Sequence, residues 1–255
     1  MEIISLKNVS KAFGGVIAVN NVSMGFYSGK ITGLIGPNGA GKTTIFNLIS
    51  GLIKVDKGRI YFKGENITNL HPWEISKKGI GRLFQDIRVF KKLTVLENVI
   101  LGEYNPAEYP YNILFKFKEI KKIEKENREK AIELIKFVGL EGKENTPAEN
   151  LSYGQQKLLS LARLLMGKYE VLLMDEPTAG VHPDIVKKLI ELMKEMAKSG
   201  KTIIFIEHNM NIVSEIADWL FFLKEGEVYD MGKPEDILGD EEIRRIYMGI
   251  GNAKT

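Results

Sequence analysis

No cysteine occurs in the 255-residue chain, so disulfides and thiolate metal sites are excluded and a reducing compartment suits it. No apolar run approaches the roughly 20 residues needed to cross a bilayer; "DWLFFL" and "EVLLMDE" have only strand length. The opening "MEIISLKNVSKAFGG" carries charges where a secretory signal needs an unbroken apolar core. A soluble chain is expected, able to work at a membrane only through other subunits. Neither sign of charge dominates. The 36 basic and 33 acidic residues leave a formal +3, which makes no general electrostatic case for nucleic acid. Glutamine is confined to Gln85, Gln155 and Gln156, and each falls inside a motif. Plentiful Lys, Glu and Ile beside so few Gln lean toward a hot source.

What is present can build a large core: 44% of residues are hydrophobic, enough for one large domain or a domain with a subdomain. "EIISLKNVS" and "NVSMGFYSG" alternate as half-buried antiparallel strands do. "ITGLIG" is a buried strand feeding a glycine loop, and "KTTIFNLISGL" after it has helical character. "GRIYFKGENI" returns to strand and "GIGRLFQD" ends another. From about Leu93 to Leu165 the chain turns helical and highly charged, with Ile120, Ile123, Ala131, Leu134, Ile135 and Val138 at helical spacing. The Tyr-, Pro- and Asn-rich "GEYNPAEYPYNILF" before it reads as an irregular loop. Further on, "YEVLLMDE" and "KTIIFIEH" are buried strands around the amphipathic helix "PDIVKKLIELMKEMAKSG". "WLFFLKEGEVYDMG" reads as a hairpin turning near Glu225-Gly226, and "PEDILGDEEIRRIYMG" ends in helices. Apolar strands alternating with helices imply a parallel sheet, interrupted by a helical insertion. The expected division is a core of residues 1–92 and 166–255 and a helical part of residues 93–165, within one domain of 1–255.

Gly36-Pro37-Asn38-Gly39-Ala40-Gly41-Lys42-Thr43 matches G-x-x-x-x-G-K-[ST] between a buried strand and a helix. Its glycines let backbone N–H groups converge on phosphate, and the helix adds its positive dipole end. Lys42 suits the outer phosphates and the Thr43 hydroxyl suits Mg²⁺. Val171 to Glu176 complement this loop. Four apolar residues end in carboxylates at the C-terminal end of a central strand, where ligands of parallel sheets collect. Asp175 suits the Mg²⁺ shell, and Glu176 a base or orienter for an attacking water.

"LSYGQQ" presents a second small-residue loop opening a helix, without a lysine. Ser152 and Gln155, three apart, form a capping box, so these residues can simply start the helix. Gly154, which a cap does not require, can instead let an anion approach bare N–H groups at the helix mouth. The second reading is the one expected: a helix N-terminus prepared for phosphate, which gives one chain two phosphate sites, only one of them with a lysine.

The P-loop, Gln85 in "LFQD", "LSYGQ", the Asp-Glu strand end and His208 in "FIEHNM" together resemble the motif set of ATP-binding-cassette (ABC) ATPases over essentially the whole chain. That resemblance implies an α/β P-loop NTPase with a parallel core sheet, an N-terminal antiparallel β subdomain and an inserted α-helical subdomain. It implies ATP and Mg²⁺, with Gly36 to Thr43 and Thr44 on the nucleotide and Phe13, in "KAFGG", stacked on adenine. Thr43, Gln85 and Asp175 would surround the metal; Glu176, Gln85 and His208 would act in hydrolysis. Two such cassettes pair head to tail, so Ser152, Tyr153, Gly154 and Gln155 would grip the γ-phosphate held by a partner cassette. His71 and His182 are too isolated in sequence for a metal site.

Two departures are notable: Tyr153 replaces the third residue of the general Leu-Ser-Gly-Gly-Gln signature, and His182 stands where an Asp is usual. Together with "AGVHP", "EHNM", "RIYMG" and the aromatic insertion after Gly102, they resemble the ATPase subunits of branched-chain amino acid importers. The implied partners are two transmembrane permeases, a second cassette (non-identical, or a copy) and, indirectly, an extracytoplasmic solute-binding protein. No nucleic acid is implied, and the location is peripheral, on the cytoplasmic face of the membrane. The alternatives are the same ATPase serving another cargo (an amide-type solute such as urea, or lipopolysaccharide or lipid), a soluble cassette protein outside transport, or a non-catalytic regulatory cassette. The last would be expected to lose Lys42, Glu176 or His208, and all three are present. Arg88, Val89, Phe90 and Leu93, in a segment where apolar residues sit among Lys91 and Lys92, mark an expected docking surface.

Overall fold

The computed structural model describes residues 1–103 and 117–247. The expected loop "GEYNPAEYPYNILF" falls mostly outside the described residues.

The chain divides into two compact units. The first comprises residues 1–82, 169–177 and those from 190 onward. Strands β1 (Glu2–Phe13), β2 (Val16–Tyr27), β4 (Lys57–Phe62) and β5 (Glu65–Asn66) form an antiparallel sheet in the order β2-β1-β4-β5. The second sheet runs β10-β9-β3-β8-β7-β6, from β3 (Ile31–Ile35), β6 (Ile80–Leu83), β7 (Val171–Asp175), β8 (Thr202–Ile206), β9 (Trp219–Lys224) and β10 (Glu227–Gly232). Its centre is parallel, since β3 pairs in parallel with both β8 and β9, and β7 with β8. Every residue of β3, β7 and β8 is buried, which is why these runs are continuously apolar. β9 and β10 form the expected hairpin, and Glu225 and Gly226 both take positive φ, as a two-residue type I′ turn requires.

The core of this unit is one apolar cluster joining both sheets to helix α1 (Lys42–Ile49). Phe26 meets Phe221 edge-on at 5.7 Å within it. Helices α2 (Pro72–Lys78), α7 (Met210–Ile216), α8 (Pro234–Gly239) and α9 (Glu241–Tyr247) belong to the unit, as do residues 190–198 of a helix that begins in the other.

The second unit comprises residues 83–168 and 178–189. Helices α3 (Val95–Ile100), α4 (Phe117–Phe137) and α5 (Tyr153–Met166) pack on one another. Ile120, Ala131, Ile135 and Val138 are buried, as the spacing along α4 anticipates. On its other face, Lys122–Glu126 and Lys125–Glu129 pairs stand exposed. Such pairs contribute little beyond solubility.

This unit is wider than residues 93–165, for two reasons. The buried Asn98 side chain binds Phe90 through both its N–H and its carbonyl, which fastens the segment before α3 to that helix. Residues 178–189 include the start of α6 (Pro183–Lys198), and Ile185 packs against Gly154 on α5. Lys157 also donates to the Ala179 carbonyl at 2.7 Å.

Candidate functional site

Three adjacent parallel strands, β3, β8 and β7, deliver the candidate residues from their C-terminal ends, the side on which open α/β sheets place ligands. Beyond β3 the chain enters the glycine loop. Gly36, at φ 142°, has no room for a side chain, because a Cβ would lie 2.1 Å from the Leu223 carbonyl oxygen. Gly41 precedes α1 at φ 95°, and a Cβ there would meet the Ala18 carbonyl oxygen at 2.5 Å. With no side chain at that position, the first amides of α1 stay open to an anion.

Lys42 is buried, and its ammonium donates to the carbonyls of Gly36 at 2.7 Å and Pro37 at 2.8 Å, which centres the charge in the loop. Burial lowers its pKa, while the nearby carboxylates of Glu176 and Asp175 oppose that shift. Thr43, Asn38 and Gly39 are exposed, Pro37 and Thr44 partly so, and Ala40 is buried.

At the end of β7 the Asp175 carboxyl is buried, and burial raises its pKa against the pull of Arg82. Arg82 Nη2 lies 2.9 Å from Asp175 Oδ2. Glu176 adopts φ +46°, the left-handed region that a non-glycine residue enters only under constraint and often at functional sites. Its amide donates to the Ile206 carbonyl at the end of β8, which locks that turn. The Glu176 Oε1 atom meets His208 Nε2 at 3.0 Å, with both side chains partly open to solvent. The carboxylate and the imidazole are thus brought together, near Lys42 of the phosphate loop.

Phe13 lies in the same unit, 48% exposed at the end of β1, with the Lys11 ammonium 5.3 Å from its ring. A ring this open is available for stacking and contributes nothing to the core.

Gln85 and the Ser152 loop belong to the other unit. Gln85 is exposed. The capping box is fully formed: Ser152 Oγ accepts from the Gln155 amide at 3.3 Å, and Gln155 Oε1 accepts from the Ser152 amide at 3.1 Å. Ser152 and Tyr153 are exposed, but Gly154 is buried. A Cβ on Gly154 would come within 2.9 Å of Ile185 Cγ1, so close packing alone demands glycine there. A cap by itself does not need this glycine, but the neighbouring helix does, so packing rather than an approaching anion accounts for Gly154. Ser152 and Tyr153, at the helix mouth, remain exposed.

Neither remaining histidine gathers ligands. His71 precedes α2 and stacks on Trp73, and His182 sits at the start of α6 with Nδ1 3.3 Å from Asp184. Among the described residues no three His, Cys, Asp or Glu side chains cluster as a metal site. The Asp175 carboxyl and the Thr43 hydroxyl are hard oxygen donors, the kind of group a divalent ion such as Mg²⁺ takes.

Three residues of the site had no place in the sequence reading. Arg82 is a charged residue inside a strand, three positions before Gln85. Glu207 is buried directly before His208. Tyr247, from the far end of the chain, donates its hydroxyl to the His208 carbonyl at 2.7 Å. Burial, with Glu207 and Glu176 nearby, pushes the Tyr247 pKa up to about 12, so the group stays a donor. The charge within "GIGRLFQD" was a visible signal for Arg82; contacts of the Tyr247 kind leave no local pattern.

In the comparisons with known proteins, the ABC transporter family profile matches residues 19–179. Over its full length the chain is 40% identical to the Archaeoglobus fulgidus protein named probable branched-chain amino acid transport ATP-binding protein LivG, covering 98% of that protein. Among solved structures, the ADP conformation of an ATP-binding cassette of an ABC transporter is 39% identical, with a TM-score of 0.85 over 98% of this chain and 99% of that one. A dimeric ATP-binding cassette in a post-hydrolysis state, bound to ADP and Pi, is 29% identical, with a TM-score of 0.76 over 91% and 99% of the two chains.

Proposed function

The chain belongs to the ABC transporter family and is one of its ATPase cassettes, and from that premise we propose that it energises uptake of branched-chain amino acids through separate permease subunits. The observation that carries the catalytic reading is the Glu176–His208 pair, 3.0 Å apart, at the strand ends beside the P-loop. No described helix is long and apolar enough to cross a membrane, which accords with a subunit that works through permeases at the cytoplasmic face.

In this reading Phe13 stacks on adenine, the amides from Gly36 to Thr44 cradle the phosphates, and Lys42 neutralises the outer ones. Thr43, Asp175 and Gln85 would hold Mg²⁺, which would supply positive charge to offset that of the outer phosphates. Glu176 accepts a proton from water as its oxygen attacks the γ-phosphorus. The bond from that phosphorus to the bridging oxygen breaks, and ADP leaves with the bond's electrons. His208 holds the γ-phosphate on the other side of this exchange. The constrained backbone of Glu176 and its bond to the Ile206 carbonyl fix the base before substrate arrives, so little reorganisation remains for the reaction itself.

Ser152 to Gln155 serve the nucleotide of a second cassette, either a non-identical homologue or a copy of this chain. A solute-binding protein outside the membrane supplies the amino acid.

Glu176→Gln tests this mechanism. A positioned general base is typically worth about 10²- to 10⁴-fold in rate, so hydrolysis should nearly stop while ATP still binds. The variant should pass from monomer to dimer on adding ATP, alone or with its partner cassette, and ADP should be ineffective. Ser152→Glu in the same background should abolish the shift by setting a like charge against the phosphate. An ATP-loaded Glu176→Gln protein that stays monomeric with its partner present, by light scattering, overturns the cross-cassette role of "LSYGQQ".

A further inference from the structure

The Arg82 side chain is only 7% exposed, yet it carries a full charge on a strand of the central sheet. Its Nη2 pairs with Asp175 Oδ2 at 2.9 Å on β7, the neighbouring strand. Its Nη1 donates to Asn47 Oδ1 at 2.7 Å and to Ser50 Oγ at 3.0 Å, on α1 and at its C-cap. The guanidinium also lies 5.6 Å from the centre of the Phe46 ring. A planar fork can serve these partners at once, whereas an ammonium is a point charge on a flexible stem.

Stability alone does not account for this arrangement. Desolvating a buried ion pair costs about what its attraction returns, and apolar replacements of similar volume are often as stable or more so. The partners are more informative. Asn47 stands four residues after Thr43, on the same face of α1. One guanidinium therefore connects the helix face that carries the Thr43 hydroxyl to the carboxylate of Asp175. Of the two carboxylate oxygens it takes up Oδ2.

We propose that Arg82 is a positioning residue of the nucleotide site, holding Asp175 in register with Thr43 so that the two present a fixed pair of oxygen ligands to the divalent ion. The inference rests on the Mg²⁺-ATP reading above and adds to it a residue that touches neither nucleotide nor ion. Groups that orient metal ligands in this way typically contribute about 10- to 100-fold in metal affinity.

The experiment uses the full chain and Arg82→Met, which keeps length and apolar volume but removes the fork. ATP affinity is measured in EDTA. Mn²⁺ binding to the protein–ATP complex is then followed by electron paramagnetic resonance, and ATPase rate by Mg²⁺ titration. Metal-free ATP affinity should stay within about 2-fold, while Mn²⁺ affinity should fall about 10-fold or more and the half-maximal Mg²⁺ concentration rise in parallel. Arg82→Lys, with the charge but not the fork, should fall between the two. A variant that melts earlier yet binds Mn²⁺ as the wild type does makes Arg82 merely structural and overturns the proposal. Should Arg82→Met not fold, the double variant Asn47→Ala/Ser50→Ala keeps the ion pair and removes both hydrogen bonds to α1 and its C-cap; it should still weaken Mn²⁺ binding several-fold, and unchanged binding is equally fatal. Wild-type protein whose ATP complex binds no Mn²⁺ at all overturns the Mg²⁺-ATP reading itself, a result distinct from any difference between variants.

Discussion

Gly154→Ala separates packing from ligand access in the loop that opens α5. The added methyl would lie 2.9 Å from Ile185 Cγ1, 3.4 Å from Cγ2 and 3.5 Å from Cβ. The first distance is below any ordinary carbon contact, so Ile185 or the start of α6 has to shift by several tenths of an ångström. Overpacking of this kind typically costs about 1–3 kcal/mol. Alanine in place of glycine returns up to about 1 kcal/mol of helix propensity, less near a helix end. The net loss is about 1 kcal/mol, which for a domain of this size lowers Tm by about 2–4 °C. Ile185→Ala removes both γ carbons and leaves the Cβ at 3.5 Å, an ordinary contact. In that background Gly154→Ala should cost nothing or raise Tm slightly. The assay is a calorimetric double-mutant cycle, with ATP-driven association of each variant measured in parallel. An equal Tm loss in both backgrounds refutes the packing argument. Association that stays impaired in a thermally restored double variant would instead assign the glycine to phosphate access.

Tyr247→Phe deletes one hydroxyl and leaves the His208 carbonyl without that donor. A hydrogen bond worth about 0.5–1.5 kcal/mol corresponds to a fall in kcat of about 2- to 10-fold with ATP affinity unchanged, and steady-state ATPase assays on the assembled transporter should show this split. Phe90→Asp alters a side chain that is 53% exposed, so the isolated fold should lose no more than about 0.5 kcal/mol while transport in proteoliposomes with the permeases is lost; normal assembly and wild-type transport would place the docking surface elsewhere.

Much of this protein is legible along the chain because its chemistry is local. The P-loop states its conformation in its glycines: Gly36 and Gly41 have positive φ and no space for a Cβ. Continuous apolar runs announce β3, β7 and β8, and Asp175 and Glu176 are placed by the end of such a run. The capping box of Ser152 and Gln155 is likewise complete within four residues. Spacing along the chain is enough wherever the interacting atoms are less than a helical turn apart.

Only the tertiary structure decided the rest, because the deciding contacts join residues far apart in sequence. Gly154 is glycine because Ile185, on another helix, occupies the space of its side chain. The segment before α3 belongs with the helices because buried Asn98 fastens Phe90 to α3. Arg82 reads as one charge in an apolar strand until the sheet brings β6 beside β7 and the fork meets Asp175, Asn47 and Ser50. Tyr247 reaches the His208 backbone across 39 positions of sequence. Propensity and pattern carry no record of such pairs, since a buried polar group acquires its partner only when the chain closes around it and water is no longer available to bond it.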